Sequence, residues 1–578
     1  MTVAEPLLQA PPRRRSFAAA FSLERALERA RTSDRAEDDT RIRIFFVLAL
    51  FACAFVTLAV GATGAALFSG RNKAALGPPA AAERADLVDR NGRMLAADLL
   101  HYGVYVDPFE VWDTAETRRA LLSVLPQMSP HRLDKVLRSG KRGFIFGGLT
   151  PEQKDKVHDL GLPGVSFEPE QRRVYPLGTT AAHLIGFSDT GGEGLSGAEF
   201  ALNEAVRGGK PGQSVPLSID LRIQAALEEE LYKAAQSLQV KDAVGIITNV
   251  HTGEVLAIAS YPTYDPNAPG KASPDGLVNR AAASVYEMGS TMKVFSVAMG
   301  LDSGAVNLGS MIDASTPLRM SGRSVRDYHA ENRAMTVAEV FMHSSNIGTS
   351  RIALMAGGDT MLKYYKAFGL LEPAPIELRE SSRPIVPRQW DSNTIASASF
   401  GHAISVSPLM VAAGMGAVLN GGTYVPLTIR PVKAGERPEG RRVVSEATSK
   451  AMLDLMRANV VHGTGGKANA PGLRVGGKTG SAEKAGRGGY QRDKLVSSFA
   501  AVFPTDGPVE ADRYFVLILM DEPHGNKETF GFATGGWTAA PAVGKVIDRI
   551  GPILGVARRA DVVEPSMGVS ETVSGGEH

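Results

Sequence analysis

Glu287-Met288-Gly289-Ser290-Thr291-Met292-Lys293 stands near the middle of the chain, and Val294-Phe295-Ser296-Val297-Ala298-Met299 follows it. The second run is apolar apart from one serine and predicts a buried helix. Gly289 suits the turn into that helix. Ser290 and Lys293 are spaced i and i+3, which sets both side chains on one helical face. A serine hydroxyl is a weak nucleophile at neutral pH and needs an adjacent base, a role open to a desolvated lysine. Backbone N–H groups at a helix start can also receive a developing oxyanion. Ser-x-x-Lys alone is commonplace and fits a buried helix start beside a snorkelling lysine equally well, so its companions decide.

The chain has 578 residues, enough for two or more domains with sizeable cores. Its 44% hydrophobic and 21% charged content is that of ordinary folded protein. Residues 1–43 carry nine basic and seven acidic side chains of the 63 and 61 in the whole chain. The remainder is therefore balanced, which argues against a nucleic-acid binder. Cys53 is the one cysteine, so an intramolecular disulfide and cysteine-cluster zinc sites are excluded. His183 has no second ligand at a matching spacing and reads as a structural histidine.

Residues 1–43, with Arg13-Arg14-Arg15, read as a mobile cytoplasmic tail. Residues 44–68 hold no charge over 25 positions, the length of a transmembrane helix. A cleaved signal peptide would have a shorter apolar core and a shorter leader. The arginine-rich tail orients the N-terminus inside. Residues 69–215 read as a linker and a pedestal, in which Leu87-Val88 and Asn91-Gly92 predict a strand and a hairpin turn. Near Ser214 the pattern changes. Asp220 predicts the cap of a helix running to about Leu238, and Val244–Val250 and Glu254–Ser260 predict a strand pair. Val475–Lys478, Ser497–Phe503 and Tyr514–Met520 predict further strands, and Trp537–Ile550 a closing helix. Residues 216–560 thus read as one α+β domain, and 561–578 as a disordered tail.

Two clusters join Ser290 and Lys293: Ser344-Ser345-Asn346, and Lys478-Thr479-Gly480-Ser481 after Gly476-Gly477. Ser-x-x-Lys, Ser-x-Asn and Lys-Thr-Gly in this order are the three-part set of penicillin-binding proteins and serine β-lactamases. The chain resembles the class B penicillin-binding proteins, the monofunctional peptidoglycan D,D-transpeptidases, and among them the cell-division member. The resemblance runs from about Arg84 to Ile550. It includes Asp89-Arg90-Asn91-Gly92, Arg173-Val174-Tyr175-Pro176-Leu177-Gly178, Gly194-Leu195-Ser196-Gly197-Ala198-Glu199 and Ser399-Phe400-Gly401-His402-Ala403-Ile404-Ser405. Met288 stands where the family often has proline, and Ser481 where threonine is usual.

The resemblance implies an antiparallel sheet flanked by helices, on an elongated β-rich pedestal, with one N-terminal transmembrane helix. It implies an inner-membrane protein whose catalytic domain faces the periplasm. Ser290 is implied as nucleophile and Lys293 as base, with Ser344 relaying a proton and Asn346 holding the substrate amide. Lys478, Thr479, Gly480 and Ser481 are implied as substrate-binding, with Lys478 on the terminal carboxylate, and the N–H groups of Ser290 and Ser481 as oxyanion hole. No cofactor or metal is required. The implied partners are peptidoglycan stem peptides, β-lactams as covalent inhibitors, the membrane, a polytopic peptidoglycan glycosyltransferase and other division proteins, but no nucleic acid.

Other readings compete. Gly472-Leu473-Arg474-Val475-Gly476-Gly477-Lys478-Thr479 fits a nucleotide-binding P-loop, but the expected strand before it and helix after it are poorly supported. A lateral-wall transpeptidase, a non-enzymatic assembly protein, and a β-lactamase or antibiotic sensor are further alternatives. Arg84 and Arg173 read either as partner contacts or as local ion-pair residues.

Overall fold

The computed structural model describes residues 46–59, 84–208, 213–486 and 489–559. The expected tails 1–43 and 561–578, and the linker up to residue 83, lie outside them. Residues 46–59 form a helix whose Phe46, Leu50, Phe55 and Leu58 are exposed. The rest of the expected membrane span, 44–45 and 60–68, also lies outside. Among the described residues no helix is long and apolar enough to cross a membrane.

The pedestal is built on the strand Met94–Val106. It pairs antiparallel with Asp86–Val88 near its start and with Gly143–Leu149 and Val165–Val174 further along. Helices Thr114–Val124, Pro130–Arg138 and Pro151–His158 are each capped by a side chain, from Asp113, Ser129 and Thr150. They close a small core of Val104, Val106, Leu121, Leu133, Ile145 and Leu149.

At its base the pedestal is welded to the larger domain. Strand Ser214–Pro216 runs parallel to Asp86–Val88. Asp89 accepts hydrogen bonds from the backbone of Asn91, Arg93 and Leu221, so one carboxylate ties the Asn91-Gly92 turn to the helix Leu221–Ser237. Asn91 Nδ2 also donates to Asp220, the cap of that helix, at 3.0 Å.

Arg84 and Arg173 converge on one buried carboxylate. Glu199 Oε2 lies 2.5 Å from Arg84 Nη2, and Glu199 Oε1 lies 2.6 Å from Arg173 Nε. Asp98 completes the group, 3.2 Å from Arg173 Nη1. Both arginines are therefore internal ion-pair residues and not a contact surface. Without Glu199, Asp98 alone would face two buried guanidinium groups, and the Arg84 side chain would keep only neutral acceptors such as Gly192 O and Asn203 Oδ1, so Glu199→Ala is expected to destabilise the pedestal by about 3–5 kcal/mol. Denaturant unfolding followed by far-UV circular dichroism checks this; a loss below about 1 kcal/mol would contradict it.

The larger domain holds a five-stranded antiparallel sheet in the order Gly476–Gly486, Gly489–Phe503, Tyr514–Asp521, Asp242–Asn249, Val255–Tyr261. Strand Tyr514–Asp521 is buried along its whole length because both of its faces are covered. Val516, Ile518 and Met520 pack with helices Leu221–Ser237 and Ala539–Ile553, whereas Phe515, Leu517 and Leu519 meet a helical layer on the other side. That layer surrounds helix Pro408–Leu419, which is buried at every residue. The layer also contains helix Lys293–Asp302, the predicted buried helix.

The P-loop pattern does not fold as one. Lys478 and Thr479 lie within strand Gly476–Gly486, which pairs antiparallel with Gly489–Phe503, and among the described residues no helix follows the motif before that strand.

Candidate active site

Ser290 does not open the long helix directly. It sits in a single 3₁₀ turn, Gly289–Met292, and Lys293 begins the α-helix behind it. Residues i and i+3 eclipse in a 3₁₀ turn, which keeps Ser290 and Lys293 on one side. Gly289 has φ +52°, and a Cβ there would fall 2.5 Å from Ser481 O. Only glycine lets the turn press this closely on strand Gly476–Gly486. Gly480 is its counterpart, since a Cβ at that position would overlap Thr291 Oγ1, Ser498 Oγ and Met288 O.

The second cluster is a helix start. Ser345 caps helix Asn346–Ala356, which leaves Ser344 and Asn346 beside the turn. Ser344 is held at φ +56°, a left-handed conformation that costs a non-glycine residue energy and is common at functional sites. Asp327 secures the cluster from above, accepting from Ser345 Oγ at 2.7 Å and Ile347 N at 2.9 Å. The neighbouring Arg326 O accepts from Asn346 Nδ2 at 2.9 Å. Nothing in the local sequence pattern marks Asp327, 18 residues before Ser345, because its role depends on a loop folding back.

The three clusters meet at two buried lysines. Lys293 Nζ donates to Asn346 Oδ1 at 2.7 Å, to Ser344 Oγ at 3.2 Å and to Ser344 O. Lys478 Nζ donates to the same Ser344 Oγ at 2.8 Å and lies over the Phe341 ring. Both lysine side chains are fully buried. Burial, then the charge of Lys478, holds Lys293 well below the ordinary lysine range, and Asp327 acts in the opposite sense. Burial alone brings Lys478 to about 7. A neutral lysine here can accept the Ser344 O–H, whereas two ammonium groups would leave that proton without a partner.

Lys478 thus faces Ser344 from inside the domain. By strand alternation Thr479 and Ser481 project from the opposite face. Thr479 Oγ1 is 2.9 Å from Thr464 Oγ1, and Ser481 Oγ accepts from Gly535 N at 3.0 Å. Thr464 and Gly535 carry no motif and were not identifiable from sequence.

Strand Gly476–Gly486 is the edge of its sheet. The outward carbonyls belong to alternate residues. Arg457 Nη1 binds Val475 O at 2.8 Å and Asn459 Nδ2 binds Gly477 O at 2.8 Å. The same alternation brings the peptide groups of Thr479 and Ser481 to that edge, beside the Ser290 turn. The arrangement offers a hydroxyl, two low-pKa amines, a relaying hydroxyl and an open strand edge in one place, the parts needed for acyl transfer on an extended peptide.

Comparison with known proteins agrees with this chemistry. Residues 243–547 match the penicillin binding protein transpeptidase domain, and residues 79–202 the penicillin-binding protein dimerisation domain. The chain is 56% identical over 553 residues to the probable peptidoglycan D,D-transpeptidase FtsI of Caulobacter vibrioides, covering 94% of each chain. It is 29% identical to the peptidoglycan D,D-transpeptidase FtsI of Escherichia coli, covering 80% of this chain and 82% of that one. A peptidoglycan synthetase crystal structure from Bifidobacterium adolescentis shares the fold, with a TM-score of 0.64 at 22% identity, covering 84% of this chain and 97% of that one. With a dimerisation domain ahead of a transpeptidase domain, and the three motifs gathered at one site, the chain belongs to the class B penicillin-binding proteins.

Proposed function

We propose that this protein is the peptidoglycan D,D-transpeptidase of septal wall synthesis, working through a serine acyl-enzyme. The observation that carries the mechanism is the joint hold on Ser344 of Lys478 and of Lys293, which begins the helix directly after the Ser290 turn. Ser290 Oγ attacks the carbonyl carbon of the penultimate D-alanine of a stem peptide, and neutral Lys293 takes the hydroxyl proton. The N–H groups of Ser290 and Ser481 stabilise the oxyanion. The C–N bond then breaks, and terminal D-alanine leaves with a proton passed through Ser344. A neighbouring stem-peptide amine attacks the ester, gives up its proton by the same route, and the cross-link forms as Ser290 is released.

Asn346 and the outer edge at Thr479 and Ser481 hold the peptide extended. Lys478, buried against Ser344, serves the proton relay and contributes positive charge behind the carboxylate. Incubation with a D-Ala-D-Ala pentapeptide and a D-amino acid acceptor should release D-alanine and form the exchanged peptide. Release without exchange would make the protein a carboxypeptidase instead.

Asp327 supplies a sharper check on Lys293. Its negative charge favours the protonated amine. Asp327→Asn keeps an acceptor for Ile347 N–H but removes that charge. The Lys293 pKa then falls, and the rising limb of the acylation pH profile moves to lower pH. A shift to higher pH, measured with a fluorescent penicillin, would remove Lys293 as the base.

Residues 44–68 anchor the protein in the cytoplasmic membrane with the N-terminus inside. The uncharged composition and the exposed apolar side chains of helix 46–59 support this. Domain limits of 69–215 and 216–560 follow the same reading, with a polytopic glycosyltransferase and other division proteins as partners. The 56% identity to a protein named FtsI favours the septum over the lateral wall. Depletion should give long, undivided cells of normal width; swollen or rounded cells would favour the lateral wall.

A further inference from the structure

Glu287 lies three residues before Ser290, and the mechanism above gives it no role. Its carboxylate joins segments distant in sequence. Oε1 accepts from Ala403 N at 2.9 Å and from Tyr490 OH at 3.1 Å, and Oε2 is 3.0 Å from His402 Nδ1. The His402 and Tyr490 rings meet edge to face at 5.0 Å. Tyr490 stands at the returning end of the hairpin formed by Gly476–Gly486 and Gly489–Phe503, opposite Ala485.

The backbone on either side is left-handed at three positions. Gly289, Gly401 and Ala403 have φ of +52°, +88° and +63°. A Cβ on Gly401 would overlap Gly289 N and O, so the two chains touch without side chains between them. Tyr286 and Val406 exchange backbone hydrogen bonds at 2.9 and 3.0 Å, and Gly289 N donates to Gly401 O at 3.3 Å. A non-glycine residue such as Ala403 keeps a left-handed conformation only where its surroundings impose it. Here the Glu287 carboxylate binds its N–H directly.

We propose that Glu287 is a positioning residue, the common acceptor through which Tyr490 of strand Gly489–Phe503 and the His402-Ala403 segment set the nucleophile turn. This rests on Ser290 being the nucleophile. The turn has no side-chain cap of its own. Its entry is fixed by the 401–406 backbone and by this carboxylate, and the hairpin that carries Thr479 and Ser481 is tied to the same group. Docking of a peptide on the hairpin edge and alignment of Ser290 are thereby coupled.

The test uses the full chain in detergent and a fluorescent penicillin. The acylation rate is resolved into non-covalent affinity and first-order acylation, and melting temperature is read in parallel. Glu287→Gln keeps the shape but replaces one acceptor with a donor. It should lower the first-order constant about ten- to a hundredfold, the scale of a misplaced reacting group, while non-covalent affinity changes less than threefold. Tyr490→Phe should lower it about three- to tenfold, and the double variant should be no slower than Glu287→Gln alone, because Tyr490 acts through Glu287. Wild-type first-order acylation in Glu287→Gln, or strictly multiplicative effects in the double variant, would overturn the proposal. So would a loss tracking melting temperature alone and equal in affinity and rate. Failure of the wild-type protein to be acylated would overturn the transpeptidase assignment and, with it, this coupling, which rests on Ser290 as nucleophile; acylated wild type with unaffected variants rejects the coupling alone.

Discussion

Ser290→Ala is expected to abolish covalent capture of penicillin while leaving the fold intact. The β-lactam carbonyl stands in for the D-Ala-D-Ala amide, and ring opening leaves the product esterified to the attacking oxygen. Removing that oxygen takes away no buried hydrogen bond, because Lys293 is held by Ser344 and Asn346. Intact-mass measurement should find one adduct per chain on the wild type and none on the variant. Transpeptidation should fall on the order of a millionfold, the scale at which loss of a catalytic serine is felt. An adduct on Ser290→Ala would move the nucleophile elsewhere.

Lys293→Arg should be nearly as severe. Arginine keeps the positive charge but stays protonated, so it cannot take the Ser290 proton. Loss of the general base alone is worth about 10²–10⁴ in rate, and the larger guanidinium must also displace the contacts to Asn346 and Ser344. Lys478→Arg retains a donor for Ser344 Oγ and should lose about ten- to a hundredfold, the scale of a weakened charge-assisted contact. Fluorescent-penicillin acylation rates separate the two. Equal losses would mean that the roles are misassigned.

The parts of this site legible in sequence were those with a local signature. Ser290 and Lys293 share one turn, and Lys478 through Ser481 lie on one strand, so spacing alone related them. The sheet was also legible where strands alternate or form a continuous apolar run, as in Tyr514–Asp521. Pro408–Leu419 escaped detection as a helix for the opposite reason: buried on every side, it shows no amphipathic period. Val165–Val174 and Gly143–Leu149 were hidden because their residues are mostly half-buried and many are polar or glycine. Asp327 and Glu287 act across chain separations that no spacing rule spans. The same limit applied to Arg84 and Arg173, whose shared partner Glu199 is 115 and 26 residues away.

An unpaired sheet edge is ordinarily a hazard, because it offers any exposed chain a template for uncontrolled strand addition and aggregation. Strand Gly476–Gly486 has such an edge, yet its accessible stretch is short. Arg457 and Asn459 already occupy the carbonyls of Val475 and Gly477, and past Glu483 the strand's register with its neighbour shifts at a bulge. What remains between these two stops is a window around Thr479 and Ser481. A short window leaves less edge on which an intermolecular sheet can start. Arg457 and Asn459 therefore also shorten the stretch of unpaired strand that invites unwanted strand addition.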